Sequence, residues 1–161
     1  MANPGPASRG FFWSAANSRL AAWILGTEVM RLSASAITFL KAWTVTAVAA
    51  FGYDTGAGGA VTQITNSATA VTLDKPCGQI TTVALTTAAA AEEAFVVNNS
   101  LVDANDVIVV STTYAGAGKP IVFVTNVGAG AFTVNITNVH AANALDAVLV
   151  VNFAVIKSVA A

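Results

Sequence analysis

The side chains that could do chemistry in this sequence are few and lie far apart. His140 is the only histidine, and no Ser, Asp or Asn stands in the spacing of a nucleophile elbow or a catalytic triad with it. Glu92 and Glu93 are adjacent. In a strand they would face opposite sides of the sheet and could not work as an acid/base pair. We therefore predict no catalytic residues and no enzymatic activity.

Three short patterns resemble binding motifs but lack their defining residues. Asp103-Ala104-Asn105-Asp106 begins like a calcium loop, yet no Gly stands at its sixth position and no Glu closes it. Gly56-Ala57-Gly58-Gly59 lacks the Lys-Ser/Thr of a phosphate-binding loop. Cys77 is the only cysteine, so it forms no intrachain disulfide and no Cys-based metal site. The sequence predicts no metal, no cofactor, and assembly in a reducing cytoplasm.

The charge is low and unevenly distributed. Residues 1–50 carry four basic residues against one acidic, a net charge of +3, and residues 51–161 carry three basic against seven acidic, a net charge of −4. The basic residues are not clustered, so we expect no nucleic-acid partner. The longest apolar run is too short to cross a bilayer, and the N-terminus lacks the basic start of a secretory signal, so we expect no membrane association.

The second half of the chain is predicted to be a domain of short strands. Gly, Asn, Asp and Pro separate apolar or alternating runs every eight to twelve residues, a spacing typical of a β-sandwich or barrel. The last run is apolar on both sides, which indicates the middle of a core or a subunit interface. We predict an all-β, antiparallel, jelly-roll-like β-sandwich over 52–161. Its eight strands lie near 60–65, 70–73, 78–83, 94–98, 106–113, 119–126, 131–138 and 147–157.

Residues 1–51 are predicted to form an extended N-terminal arm. Two readings of 11–25 are open: a short helix capped by Ser14, or an irregular aromatic segment laid over a neighbour. The following residues alternate, which indicates extended segments up to Trp43 and beyond. Because no hairpin signal is nearby, these segments must pair with another part of the chain or, as we prefer, with copies of themselves.

The composition itself predicts self-association. Hydrophobic residues make up 55% of the chain and charged residues only 9%, where soluble domains have about 25% charged residues. A monomer with so little charge would be poorly soluble. We therefore expect much of its surface to be buried against other subunits.

Several stretches resemble a β module found in virion structural proteins of tailed bacteriophages and prophages. They are Gly56-Ala57-Gly58-Gly59-Ala60-Val61-Thr62-Gln63, Thr72-Leu73-Asp74-Lys75-Pro76-Cys77-Gly78-Gln79-Ile80, Asn98-Asn99-Ser100 and Val151-Asn152-Phe153-Ala154-Val155-Ile156-Lys157. The resemblance covers about 52–161, and Glu28-Val29-Met30-Arg31-Leu32 is similar to the stems that precede such modules. It implies a trimeric, non-enzymatic virion component of the decoration or fibre type.

Together the resemblance and the short arm predict a homotrimeric capsid decoration, or cement, protein. It would be assembled in the host cytoplasm and seated on the capsid surface, with the major capsid protein as its partner. The alternative is a short head or tail fibre that binds host-surface glycans, for which Tyr114 is the one aromatic candidate in a distal loop. The residues predicted to make the contacts, by anchoring to neighbours or by threefold packing, are Phe11, Phe12, Trp13, Trp23, Ile24, Val29, Leu32, Ile37 and Phe39.

Overall fold

The protein is all-β, as predicted. The computed structural model describes residues 9–14, 19–24, 27–32, 37–39, 52–53 and 56–158, and within these ranges it contains no helix. The chain divides into two compact units, Met1–Phe51 and Gly52–Ala161. The roles predicted for residues 1–51, anchoring and trimer intertwining, stay predictions.

Where the structure describes it, the second unit contains eight strands, and each lies at one of the eight predicted places. They are β5 (Gly58–Thr62), β6 (Val71–Thr72), β7 (Cys77–Ala84), β8 (Glu92–Asn98), β9 (Val107–Tyr114), β10 (Pro120–Gly128), β11 (Ala131–Asn138) and β12 (Val148–Ile156). Four of them, in the order β5-β7-β12-β9, form what we call the front sheet. The other four, in the order β10-β11-β8-β6, form the back sheet. Consecutive strands mostly alternate between the two sheets.

The core lies between these two sheets because the strands alternate in polarity. Phe132, Val134 and Ile136 of β11 are fully buried, and so are Leu149 and Val151 of β12. The rings of Phe132 and Phe153 meet across the sheets with their centroids 5.5 Å apart and their planes tilted by 60°, a favourable arrangement for an aromatic pair. The predicted sandwich is thus confirmed.

Two strand pairs are parallel, which differs from the predicted antiparallel sheet. β5 runs parallel to β7, and β6 runs parallel to β8, whereas the other four pairs of the sandwich are antiparallel. Parallel neighbours need a crossover connection. Here a strand of the opposite sheet supplies it, since β6 lies between β5 and β7 in sequence and β7 lies between β6 and β8.

The strand directions give the sandwich two distinct ends. At the proximal end β5, β7 and β9 begin and β12 finishes, as the pairs Gly58 to Cys77 and Ile156 to Val107 show. At the distal end β9 finishes and β12 begins, with Leu149 opposite Tyr114. The distal loops include 85–91, 115–119 and 139–147, and the proximal ones include 73–76 and 99–106.

The described residues of the first unit form four strands in one antiparallel sheet of order β1-β2-β3-β4. They are β1 (Arg9–Ser14), β2 (Arg19–Ile24), β3 (Thr27–Leu32) and β4 (Ile37–Phe39). The short helix considered for 11–25 is not what forms there, because β1 and β2 pair as extended chain from Arg9 opposite Ile24 to Ser14 opposite Arg19. The predicted extended segment at Trp43 and the N-terminal residues 1–8 lie outside the described residues.

Within the described residues the strands of the first unit pair inside one chain, and the preferred pairing between copies stays a prediction. Each of β1 to β4 pairs with its neighbour along the same chain. The strands follow one another after short connecting stretches, so each described strand finds a hydrogen-bond partner locally.

Candidate interaction surfaces

The contact residues predicted from the sequence all lie on the strands of the first unit. β1 carries Phe11, Phe12 and Trp13, and β2 carries Trp23 and Ile24. β3 carries Val29 and Leu32. β4 carries Ile37 and Phe39, and its Ile37 is opposite Leu32 in the β3–β4 register. The sheet therefore brings these positions together on four neighbouring strands. Their contact with neighbouring subunits stays a prediction.

His140 and the paired glutamates have structural partners. The His140 Nδ1 atom accepts hydrogen bonds from the backbone N–H groups of Ala142 (3.1 Å) and Asn143 (2.8 Å), which closes the distal loop on itself. Glu92 and Glu93 begin β8 and face opposite sides, as expected for adjacent strand residues. Glu92 accepts a hydrogen bond from Thr137 at 2.9 Å, whereas Glu93 accepts one from Thr87.

The two aspartates of the calcium-like segment bind the ammonium group of a lysine. Lys157 Nζ donates to Asp103 Oδ2 (2.5 Å), to Asp106 Oδ2 (2.7 Å) and to the Leu101 carbonyl (2.9 Å). These bonds, to Asp103 first, raise the pKa of Lys157, and the Lys157 hydrogen bond lowers the pKa of Asp106. Among the described residues, no three His, Cys, Asp or Glu side chains are grouped so that they could hold a metal ion.

A shallow groove of about 460 Å³ runs along the proximal end beside this lysine. It is lined by Tyr53, Pro76, Ser100, Leu101, Asp103, Val155 and Lys157. The Tyr53 hydroxyl donates to the Val155 carbonyl, and the Lys157 ammonium already uses its three donors on oxygen atoms of the domain. The groove therefore lacks a spare cationic donor with which to fix an anionic ligand.

Tyr114, the aromatic candidate for glycan binding, is half-buried at the distal end. Its hydroxyl donates to Asp146 Oδ1 (3.2 Å) and accepts from the Asp146 backbone N–H (2.8 Å). The same carboxylate oxygen accepts a hydrogen bond from the Ala117 N–H at 2.8 Å. Tyr114 thus joins two distal loops, and both hydrogen-bonding roles of its hydroxyl are used inside the domain.

Charged residues of the described sandwich stand only at its two ends. The proximal end carries Asp74, Lys75, Asp103, Asp106 and Lys157. The distal end carries Glu92, Glu93, Lys119 and Asp146. Between the two ends, both sheets present outer faces on which β-branched, small and amide side chains replace the charges that usually cover an exposed sheet.

The outer face of the front sheet is free of charge over its whole extent, and we call it the neutral face. On edge strand β9, Val107 and Val109 are each about half exposed (51% and 50%), and Ile156 lies opposite Val107 on β12 at 53% exposure. Near its centre, Gln79 Nε2 donates to Asn152 Oδ1 at 3.1 Å. The outward positions are Gly58, Ala60, Thr62, Cys77, Gln79, Thr81, Ala84, Val107, Val109, Ser111, Thr113, Val148, Val150, Asn152, Ala154 and Ile156.

The back sheet has a similar but less uniform outer face. Ile121 and Phe123 of edge strand β10 are exposed, and so is Val96 of β8. Glu92 is a charged member of this face, close to the distal end.

One local pattern partly predicted these faces. A strand that is apolar on both sides was predicted for 147–157, and β12 indeed buries Leu149 and Val151 while turning Val148 and Ile156 outward. The role of β9 was missed because its partner along the sheet is β12, which no local pattern reveals.

Within the described residues, no helix is long and apolar enough to cross a bilayer.

Comparisons with known proteins found no relative of this chain. Protein-family models, curated proteins and solved structures gave no match to this chain.

Proposed function

We propose that this protein is a virion structural component, a homotrimeric decoration or cement protein that binds and stabilises a phage head. The observation that carries the proposal is the segregation of charge in the sandwich. Exposed aliphatic residues such as Val109, Ile121 and Ile156 lie on sheet faces between two charged ends. Surfaces of this kind are typical of proteins that bury their faces against other subunits.

The N-terminal unit supplies the second contact that a decoration protein needs. It carries a net charge of +3 over residues 1–50, opposite in sign to the −4 of residues 51–161, and its strands carry Phe11, Phe12, Trp13 and Trp23. An aromatic side chain fully buried at an interface contributes on the order of 1.5–3 kcal/mol. Several of them, repeated threefold, would hold a trimer on a lattice after the ordering costs are subtracted.

The test compares particles assembled with and without the protein. Undecorated particles should burst at lower temperature and under milder osmotic shock, and adding back the full chain should restore both properties. A chain lacking residues 1–25 serves as the matched variant: it should keep the fold of the sandwich but fail to sediment with particles.

The same particles distinguish a cement protein from a short fibre. A fibre that binds host-surface glycans predicts undecorated particles of unchanged mechanical stability that adsorb poorly to cells. That result would overturn the decoration function. The Tyr114 hydroxyl is already bonded to Asp146, so it is not free to donate to a glycan.

A further inference from the structure

We infer that the neutral face is the surface by which copies of this chain contact one another, with each neutral face turned towards a common threefold axis. The inference deepens the proposed function and rests on its homotrimer. It names the contact surface within the sandwich, whereas the aromatic strands of the first unit remain the proposed contact with the capsid.

The absence of charge selects a second copy as the partner. In a symmetric assembly equivalent residues approach each other near the axis, and like charges there are strongly unfavourable. The neutral face can meet copies of itself without that penalty, because none of its outward residues is ionisable except the thiol of Cys77. The back face carries Glu92, which three copies would bring together. An unlike partner of opposite charge would instead be drawn to the charged ends of this acidic domain.

The central amide pair provides hydrogen bonding that copies can share. Gln79 Nε2 and Asn152 Oδ1 bond to each other at 3.1 Å. That contact leaves Gln79 Oε1 as an acceptor and Asn152 Nδ2 as a donor, and within the described residues neither has a partner. Because this acceptor and this donor lie side by side, each copy can accept a hydrogen bond from one neighbouring copy and donate one to the next. Three copies linked in this way form a closed ring.

The width of the sheet also suits three copies. Four strands spaced about 4.8 Å apart make a wall about 19 Å wide, and three such walls around an axis each lie about 5.5 Å from it. That is about half the 10 Å spacing of packed sheets, so medium-sized side chains fill the centre. Four walls would stand about 9.5 Å from the axis and leave a channel. The outward residues of this face are of the required size, with Val, Thr, Ala and amide side chains and no aromatic ring.

The test places a charge on each sheet in matched positions. Ala154 on β12 and Ala94 on β8 are both half-buried and outward on an inner strand of their sheet. In the full-length chain, Ala154→Lys should convert the trimer to monomer at micromolar concentration, an affinity loss of about 100-fold or more. Ala94→Lys should leave the trimer intact. Far-UV circular dichroism confirms that each variant is folded.

Two further measurements keep the test decisive. Ser111→Lys, at an exposed position of edge strand β9, should dissociate the trimer in the same way if Ala154→Lys does not fold. Cys77, next to Ala154 and Gly58 on the neutral face, should react with N-ethylmaleimide more slowly in the wild-type trimer than in the dissociated variant.

The outcomes distinguish a failure of the neutral face as the contact surface from a failure of the proposed function. A wild-type trimer that both lysine variants of the neutral face leave intact, with Cys77 equally reactive throughout, overturns this inference and leaves the decoration function standing. A wild-type chain that is monomeric at micromolar concentration overturns the proposed homotrimer itself. Loss of the trimer in Ala94→Lys but not in Ala154→Lys would assign the contact to the back sheet and would also overturn the inference.

Discussion

Asn138 holds the distal end of the sandwich through a single side chain. It is fully buried, and its Nδ2 group contacts the carbonyls of Thr87 (3.1 Å), Ala88 (3.1 Å) and Asn143 (2.9 Å). Its Oδ1 atom accepts from the backbone N–H groups of Lys119 and His140, both at 3.1 Å. One amide thereby satisfies backbone groups from the distal loops 85–91, 115–119 and 139–147. At the proximal end Asn99 has a similar part: it is also fully buried and donates to the Lys75 carbonyl at 2.8 Å.

Replacing Asn138 with Ala should therefore be among the costliest single changes in the domain. Each buried backbone group left without a partner costs about 1–3 kcal/mol, so we expect Asn138→Ala to lower the free energy of unfolding by about 3 kcal/mol or more. Urea unfolding measures the loss. Asn98→Ala is the control, because Asn98 is exposed and makes only a long 3.5 Å contact with Thr72. Equal losses in the two variants would contradict the role of Asn138.

The Lys157 cluster predicts an acid-sensitive contribution to stability. The pKa of Asp106 is lowered in the folded domain, chiefly by the hydrogen bond from Lys157 and then by the Asp103 N–H. The unfolded chain therefore binds its proton at a higher pH than the folded one does, and stability rises with pH. The contribution is fully present above the unfolded pKa of about 3.9 and is lost as the pH falls through the lower folded pKa. Asp74 acts in the same direction, because the Ser100 N–H lowers its pKa.

The measurement is the urea midpoint between pH 3 and pH 7. Wild type should keep a constant midpoint from pH 7 to about pH 5 and lose stability below about pH 4. Asp106→Asn should be less stable than wild type at pH 7, and the difference should shrink as the pH falls below about 4, where the unfolded chain begins to take up the proton. A difference that stays the same over this pH range would show that the carboxylate charge is not what matters.

For single residues, the sequence predicted where notable polar side chains stand in the chain but not which groups they bond to. Asn99 stood between two predicted strands and Asn138 at the end of one, and Asp103 to Asp106 stood out as an incomplete calcium loop. What each side chain bonds to could not be predicted, because the partners of Asn138 include carbonyls that lie fifty and fifty-one residues before it. Lys157 lies a similar distance from the two aspartates it contacts.

Among the elements, the β7–β12 pair contains an irregularity, with one extra residue on β7, that one buried hydroxyl accommodates. The register between β7 and β12 shifts between Val148 and Val150. At that point Thr82 Oγ1 accepts the Leu149 N–H at 2.9 Å and donates to the Val83 carbonyl at 2.7 Å. The side chain thus replaces the acceptor that a regular ladder would have offered, and the Leu149 side chain stays in the core.

Thr82→Val tests this arrangement with almost no change in shape. The buried Leu149 N–H loses its acceptor, so we expect a loss of about 1–3 kcal/mol in the free energy of unfolding. Thr133→Val on the outer face of β11 is the control and should change stability by less than about 0.5 kcal/mol. Chemical denaturation of the two variants side by side gives the answer. A neutral Thr82→Val would mean that the strand can relax to a regular register.

The eight strands of the sandwich were predictable because their signals are local. Alternation of apolar residues marks each strand, and residues such as Asn66, Pro76 and Gly130 mark the turns between them. The parallel pairs were not predictable, since the neighbours of β5 and β6 are set by crossovers between the sheets. In the first unit the large aromatic residues of β1 and β2 fitted a helical spacing as well as an extended one, so a short stretch could not be assigned from its own residues.

For the whole molecule, the division at Phe51 and Gly52 predicts that residues 52–161 fold without the first unit. The core from Val71 to Val155 draws on strands of both sheets of the sandwich and on its loops. A domain of this length can bury enough surface to be stable alone. Far-UV circular dichroism and amide hydrogen exchange should show a protected β domain that still forms trimers through the neutral face. An unprotected, disordered chain would place the domain boundary elsewhere.

The Tyr53 hydroxyl donates a hydrogen bond to the Val155 carbonyl. The chain therefore enters the sandwich and leaves it at the same, proximal end. β12 alone carries its chain about 30 Å from the distal loops to the proximal end. A peptide inserted between the exposed residues Ala141 and Ala142 would therefore project away from both chain junctions, at the expense of one hydrogen bond to His140. In a trimer around the neutral face, three such insertions would point the same way. If the trimer decorates a particle as proposed, epitopes inserted in this loop would be displayed at the end of the sandwich opposite Tyr53 and Val155.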